Sequence, residues 1–249
     1  MEDLKNLVKE LIDIKESCET GRCQQIKKLQ EIAEKILREY YIKIGDITIE
    51  PLLIEAYYYH KGKFEDTSVH ASKESKANTY ELARKRQKNN FGKLYVHYGT
   101  KDGIDIVLSL NDEYYLSILI KNALVDSEWA TQCAISEKIC EKCDNRNECK
   151  GLECKYYDEI VLVPVESQNQ EIVFFPRKGI KNDFAKEDLA ALPIDKIKEH
   201  KFTPGKSRTK IVEDYIHKKL SAENLDKKEE QKLKELASGL VAWEKFKGI

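Results

Sequence analysis

Ile49-Glu-Pro-Leu-Leu-Ile-Glu-Ala-Tyr-Tyr-Tyr-His60 is the stretch whose reading decides the fold. Its β-branched and aromatic residues favour a pleated, half-buried strand, and Ile-Lys-Ile-Gly-Asp-Ile-Thr-Ile-Glu before it reads the same way. Residues 41 to 60 are therefore expected as strands. Glu55 stands between Ile54 and Ala56, where a carboxylate is costly to bury unless it is solvated, paired or used. On a strand Glu55 and Tyr57 share a face, because side chains repeat every two residues. An acid beside an aromatic ring can activate a water and stack a planar substrate. The plainer reading puts Glu55 on a solvated face, with Tyr57 covering core.

The same polar-within-apolar habit recurs downstream. Residues 92 to 98 and 103 to 110 read as two strands joined by Gly99-Thr-Lys-Asp-Gly103, and they carry His97 and Asp105 inside apolar runs. Residues 114 to 124 continue the sheet, and residues 159 to 165 and 171 to 180 are further strand candidates. Residues 61 to 72, which include His70, are polar and loop-like, and residues 77 to 88 pattern as a short basic helix.

Helices flank this middle. Leu4, Leu7, Val8, Leu11 and Ile12, then Ile26, Leu29, Ile32, Ala33, Ile36 and Leu37, recur at helical spacing. Gly21 between the two runs reads as a break, giving a helical hairpin. Helical pattern returns at about 209 to 220 and 226 to 247. The expectation is an α+β chain. An N-terminal hairpin occupies residues 1 to 40, one mixed domain with an antiparallel sheet and flanking helices occupies 41 to 200, and a C-terminal helical segment occupies 201 to 249.

Composition bounds the function. The chain has 249 residues, 43 Lys plus Arg against 44 Asp plus Glu, so it is no polycation, and nucleic-acid contact must come from local patches. Two such patches are Arg84-Lys85-Arg86 and Lys201 to Lys210, the second carrying Lys206 and Arg208; both also read as ordinary solvated faces. No apolar run approaches the roughly 20 residues a membrane-spanning helix needs, and the first residues lack a signal peptide's pattern, so a cytoplasmic protein is expected.

Seven cysteines in a reducing compartment point to metal or buried thiols before disulfides. Cys140-x2-Cys143-x5-Cys149-x4-Cys154 gathers four thiols in a short, turn-forming segment. Thiolates so spaced can close a structural zinc site or hold an iron–sulfur cluster, zinc being preferred because it asks for four ligands and no redox role. Residues 133 to 154 are read as a Cys-rich metal-binding insertion, with Cys133 a spare ligand. Cys18 and Cys23 alone make no site.

The order of these motifs resembles the alkyladenine (3-methyladenine, methylpurine) DNA glycosylase family. The resemblance is carried by Ile54-Glu55-Ala56-Tyr57, Ser68-Val-His70, Asn90-Phe91, Gly92-Lys-Leu-Tyr-Val-His97, Tyr98-Gly99, Asp105, Leu119-Ile-Lys-Asn-Ala123 and Pro176-Arg-Lys-Gly-Ile180, over roughly residues 45 to 185. It implies a curved sheet and an N-glycosylase that flips a modified base out of DNA and hydrolyses its glycosidic bond, with no metal in the chemical step. Glu55 would be the general base and Lys121 would stand near the attacking water. Tyr57, His70 and His97 would line the extruded base, Tyr98 would lie near the tip that wedges into the duplex, and Asp105 would face the base edge. The chain departs from the family in having His97 for a stacking tyrosine, Asp105 for asparagine and Lys121 for arginine. Its wedge hairpin is two residues shorter, and the cysteine cluster replaces a Gly-Pro-Gly-Lys-Leu segment. A non-catalytic nucleic-acid-binding module on the same scaffold, or a hydrolase of free nucleosides or nucleotides, are the alternative functions.

Overall fold

The computed structural model describes residues 1–14, 19–69, 90–97, 103–141, 160–177, 180–193 and 196. Two compact units divide the chain, Met1–Leu192 and Pro193–Ile249. The first is α+β, with helices α1 (Glu2–Asp13), α2 (Glu19–Glu39) and α3 (Gln132–Glu141) beside one curled antiparallel sheet. The second, with the helical pattern expected at 209 to 247, lies outside the described residues apart from Pro193 and Lys196, as does the basic helix expected at 77 to 88.

The sheet is organised by β2 (Ile47–His60), whose 14 residues are long enough to serve several partners. One edge pairs along Ile49–His60 with β6 (Tyr114–Val125). The other edge pairs in turn with β1 (Tyr40–Ile44), β10 (Ala190–Pro193) and β3 (Phe64–Glu65). The register with β6 shifts between Pro51 and Ile54. Proline has no N–H for a ladder and is tolerated in sheets at bulges and edges, so the irregularity at Pro51 lets β2 bend there. Beyond β6 come β5 (Gly103–Val107) and the edge strand β4 (Leu94–His97); beyond β1 comes β8 (Ile160–Pro164). A short β9 (Ile172–Phe175) pairs with β10.

The hairpin between β1 and β2 turns on two residues, with Gly45 at a φ of 54°. A second hairpin joins β6 to β7 (Glu128–Thr131) through Asp126 and Ser127, both at positive φ (50° and 68°), the pattern of a type I′ turn. Asp126 is held there by Thr48, whose N–H donates to its Oδ1 at 2.9 Å and whose carbonyl accepts from its N–H at 2.9 Å.

One face of the sheet makes the core. Successive cross-strand rows place Ile54, Ile120 and Ile104 together, then Ala56, Ile118, Ile106 and Leu94, then Tyr58 and Leu116. They pack in one cluster with Leu4, Val8 and Leu11 of α1 and Leu29, Ile32 and Ile36 of α2, all fully or nearly fully buried. The expected helical hairpin is thus present, and its apolar stripe is buried for the usual reason that a sheet face and a helix stripe must cover each other.

Several expectations change. Gly21 does not end a helix: it is buried within the first turn of α2. A helical glycine costs only about 1 kcal/mol relative to alanine, and the next residue ties the helix down. The Arg22 Nη2 donates to Asp183 O at 2.7 Å and to Glu187 Oε1 at 2.8 Å, with its guanidinium 4.2 Å from the centre of the Phe184 ring. The stretch 61 to 72 is not wholly loop, since Phe64–Glu65 adds to β2. The start of the cysteine insertion is helical: Cys133 lies in α3, exposed and outside any disulfide, and Cys140 lies in the helix's last turn, while the turn-forming stretch expected on to Cys154 lies outside the described residues beyond Glu141.

Candidate functional site

The opposite face of β2 is polar. Glu55 is opposite Leu119 on β6, Leu119 is opposite Asp105 on β5, and Asp105 is opposite Tyr95 on β4. Residues directly opposite in an antiparallel ladder point to the same side. Two carboxylates therefore share one face, two strand spacings or about 10 Å apart at the backbone. Both are buried, Glu55 at 5% exposure and Asp105 at 3%. The solvated-face reading of Glu55 is overturned. Tyr57, Leu119 and Tyr95 around them are half-buried, so this side is covered only in part.

Each carboxylate has its own donors. The Tyr57 hydroxyl donates to Glu55 Oε2 at 2.8 Å, so the same-face pairing expected from the strand period is realised as a hydrogen bond. No described residue donates to Glu55 Oε1. Asp105 Oδ2 accepts from the Ser117 hydroxyl at 3.1 Å and more weakly from the Tyr115 hydroxyl at 3.4 Å. Burial raises both phenols well above the ordinary value of 10.0, and the nearby carboxylates, Glu55 for Tyr57 and Asp105 for Tyr115, push the same way. Both tyrosines are neutral donors at physiological pH.

A cation closes the arrangement. The Arg177 guanidinium lies 4.6 Å from the centre of the Tyr57 ring, donates through Nη1 to Ala56 O at 3.1 Å, and meets Asp66 Oδ2 at 2.7 Å. The side chains of Asp66 and Arg177 are both at 0% exposure. Asp66 Oδ1 accepts from the Ser68 N–H at 3.0 Å and from Asn182 Nδ2 at 3.0 Å. Sequence reading had not singled out Asp66, Arg177, Ser117 or Tyr115 as site residues. Arg177 stood in the Pro176-Arg177 motif, which was the one available signal, whereas Asp66 was hidden in a polar run.

Lys121 is half-buried on β6, two residues beyond Leu119. It falls at the register shift of β2, and no described residue pairs with its charge. His97 ends β4 opposite Gly103. His70, Tyr98, Arg84, Lys85, Arg86, Lys206 and Arg208 lie outside the described residues, as do Cys143, Cys149 and Cys154. Among the described residues no group of three or more His, Cys, Asp or Glu is arranged to hold a metal ion, and no helix is long and apolar enough to cross a membrane. The structure thus brings together Glu55 and Tyr57, with Asp105 in the same cross-strand row. No protein-family model matches the chain, and no curated protein sequence matches it.

Proposed function

We propose that the chain is an N-glycosylase acting on a modified base in DNA, with Glu55 as the general base. The observation that carries this reading is the buried Glu55 carboxylate, oriented through Oε2 by the neutral Tyr57 hydroxyl, in one cross-strand row with Asp105. As the bond from C1′ to the base nitrogen breaks, its electron pair leaves with the base and the sugar gains positive charge. A fixed carboxylate in a water-poor site stabilises that charge more than it could in bulk water. Water attacks C1′ and gives its proton to Glu55 Oε1, the departing base takes a proton from solvent, and Glu55 returns its own to solvent, restoring the carboxylate. Lys121 orients the water, Asp105 accepts a hydrogen bond from the base edge, and Tyr57 with His70 and His97 forms the walls around the flipped base. Tyr98 wedges the duplex, the two basic patches hold phosphates, and zinc on the cysteine cluster is structural.

Base release from a duplex DNA pool carrying alkylated and deaminated bases, read by mass spectrometry, tests this. The wild-type chain releases a base, and Glu55→Gln lowers the rate by about 10²- to 10⁴-fold, the usual contribution of a general base, while DNA binding is kept. Salt-dependent DNA binding without release would instead mark a binding module. Release from free nucleosides, undisturbed by competing duplex, would mark a nucleoside hydrolase.

A further inference from the structure

We propose that Asp66 and Arg177 are positioning residues for Glu55, holding Tyr57 so that its hydroxyl fixes one carboxylate oxygen and leaves Oε1 to the substrate side. This role rests on the reading of Glu55 as the base.

The geometry converges on one short stretch of strand. Arg177 grips β2 twice, at the Ala56 carbonyl and at the Tyr57 ring, the two positions that follow Glu55. Its planar fork suits this use, since a guanidinium can stack and donate sideways at once. Tyr57 in turn reaches back two residues to Glu55. Asp66 neutralises the guanidinium at close range, without a hydrogen bond between Oδ2 and Nη2, and is itself set from two sides, by the Ser68 backbone and by Asn182. The pair therefore ties the turn after β3 and the segment after β9 to the base.

Stability alone is a weak reason for such a pair. Taking both charges out of water is costly, and well-packed apolar residues often serve a fold equally well. What Arg177 adds here is direction: held by the Ala56 carbonyl and over the Tyr57 ring, it fixes the plane of that ring and so the line of the hydrogen bond to Oε2, while Asp66 keeps the buried cation neutralised.

The test uses the full chain with Asp66→Asn, Arg177→Lys, Arg177→Gln and the double variant Asp66→Asn/Arg177→Gln, with Tyr57→Phe as reference. Proton NMR reads the Tyr57 hydroxyl proton, identified by its absence in Tyr57→Phe. In the wild type it is a slowly exchanging, downfield signal, as expected for a short bond to a carboxylate. It is lost in Arg177→Gln and in the double variant, and weakened in Arg177→Lys, which keeps the charge without the planar fork. A wild-type spectrum without the signal, or a signal unmoved in a folded Arg177→Gln or double variant, overturns the proposal.

Single-turnover base release gives the second readout. Asp66→Asn and Arg177→Gln slow the step by about 10- to 100-fold, the scale of a small misplacement of a reacting group, with DNA affinity unchanged and Arg177→Lys partly restoring the rate. An unchanged rate, or a loss that lies wholly in affinity, overturns it. The double variant leaves no lone buried charge and decides the matter where a single variant fails to fold. If it too fails to fold, the pair is structural and the proposal falls. A wild-type chain that releases no base defeats the glycosylase reading instead, and the NMR signal still decides whether the pair positions Glu55.

Discussion

The two faces of β2 differ in what they are for. Ile54, Ala56 and Tyr58 lie in the main core with α1 and α2, while Glu55 and Tyr57 between them join a network of carboxylates, phenols and a guanidinium. The core face is fully buried, while on the other face Glu55 and Asp105 are buried and Tyr57 and Leu119 only half-buried. The deeper difference is specification. An apolar face is satisfied by any close packing of the right volume, whereas each polar group on the other face needs a partner at a definite distance and angle. One strand thus holds a stabilising surface and a directional one, a single residue out of step.

The largest effect that would break this comparison is a difference between two adjacent residues of β6. Ile120, fully buried on the core side, costs about 2–5 kcal/mol when cut to alanine. Leu119, half-buried between Glu55 and Asp105, costs clearly less on urea unfolding. Equal losses would mean that the two faces carry the same packing load.

A smaller effect separates the tyrosines by their surroundings. Burial raises Tyr114, at the end of the core face, to about 12, partly offset by the Leu110 N–H that donates to its hydroxyl. Tyr57 and Tyr115, beside buried carboxylates, are raised well above 10.0. An acid whose folded value is raised gives stability that is fully present below its unfolded value, near 10, and is lost as pH rises through the folded one. Urea midpoints therefore fall above about pH 10, and Tyr57→Phe, Tyr114→Phe and Tyr115→Phe each flatten part of that fall. An alkaline fall unchanged in all three variants would mean that neither face shields its phenols.

The smallest effect lies outside both faces. Lys28 bridges Glu10 and Glu31 on the helical hairpin at 2.8 Å and 2.5 Å. The hydrogen bond to Glu10, then that to Glu31, raises its ammonium above the ordinary value. Both acidic partners are largely exposed, so Lys28→Met changes stability by only about 0.2–1 kcal/mol, in a salt-dependent way, on the same urea measurement.

Local pattern carried much of this protein. The helical spacing of Leu4, Val8 and Leu11 and of Leu29, Ile32 and Ile36 was enough for the hairpin, and the β-branched run from Ile47 to His60 was enough for the central strand. The period of two was enough to place Tyr57 beside Glu55. Signals failed where tertiary anchoring overrode propensity. Gly21 stays helical because Arg22 is fastened to Asp183 and Glu187, more than 160 residues away. The hairpin into β7 was missed because Asp126-Ser127 lacks the glycine that usually marks such a turn, and Thr48 supplies the support instead. The brief strands β3, β7 and β10 are too short to show a period and exist because β2 and β6 offer them an edge.

The sequence by itself determined the α+β class, the two N-terminal helices, the main strands and the unusual carboxylates at Glu55 and Asp105. Only the tertiary structure decided that these two share one row, that Glu55 is buried rather than solvated, and that Asp66 meets Arg177 across 111 positions of sequence beneath Tyr57. The reason is range. Period and propensity act over a few residues, and they fix which way a side chain points from its own strand. Which strands lie side by side, and which distant charge arrives to neutralise a buried one, depends on the closure of the whole sheet, and no local pattern encodes it.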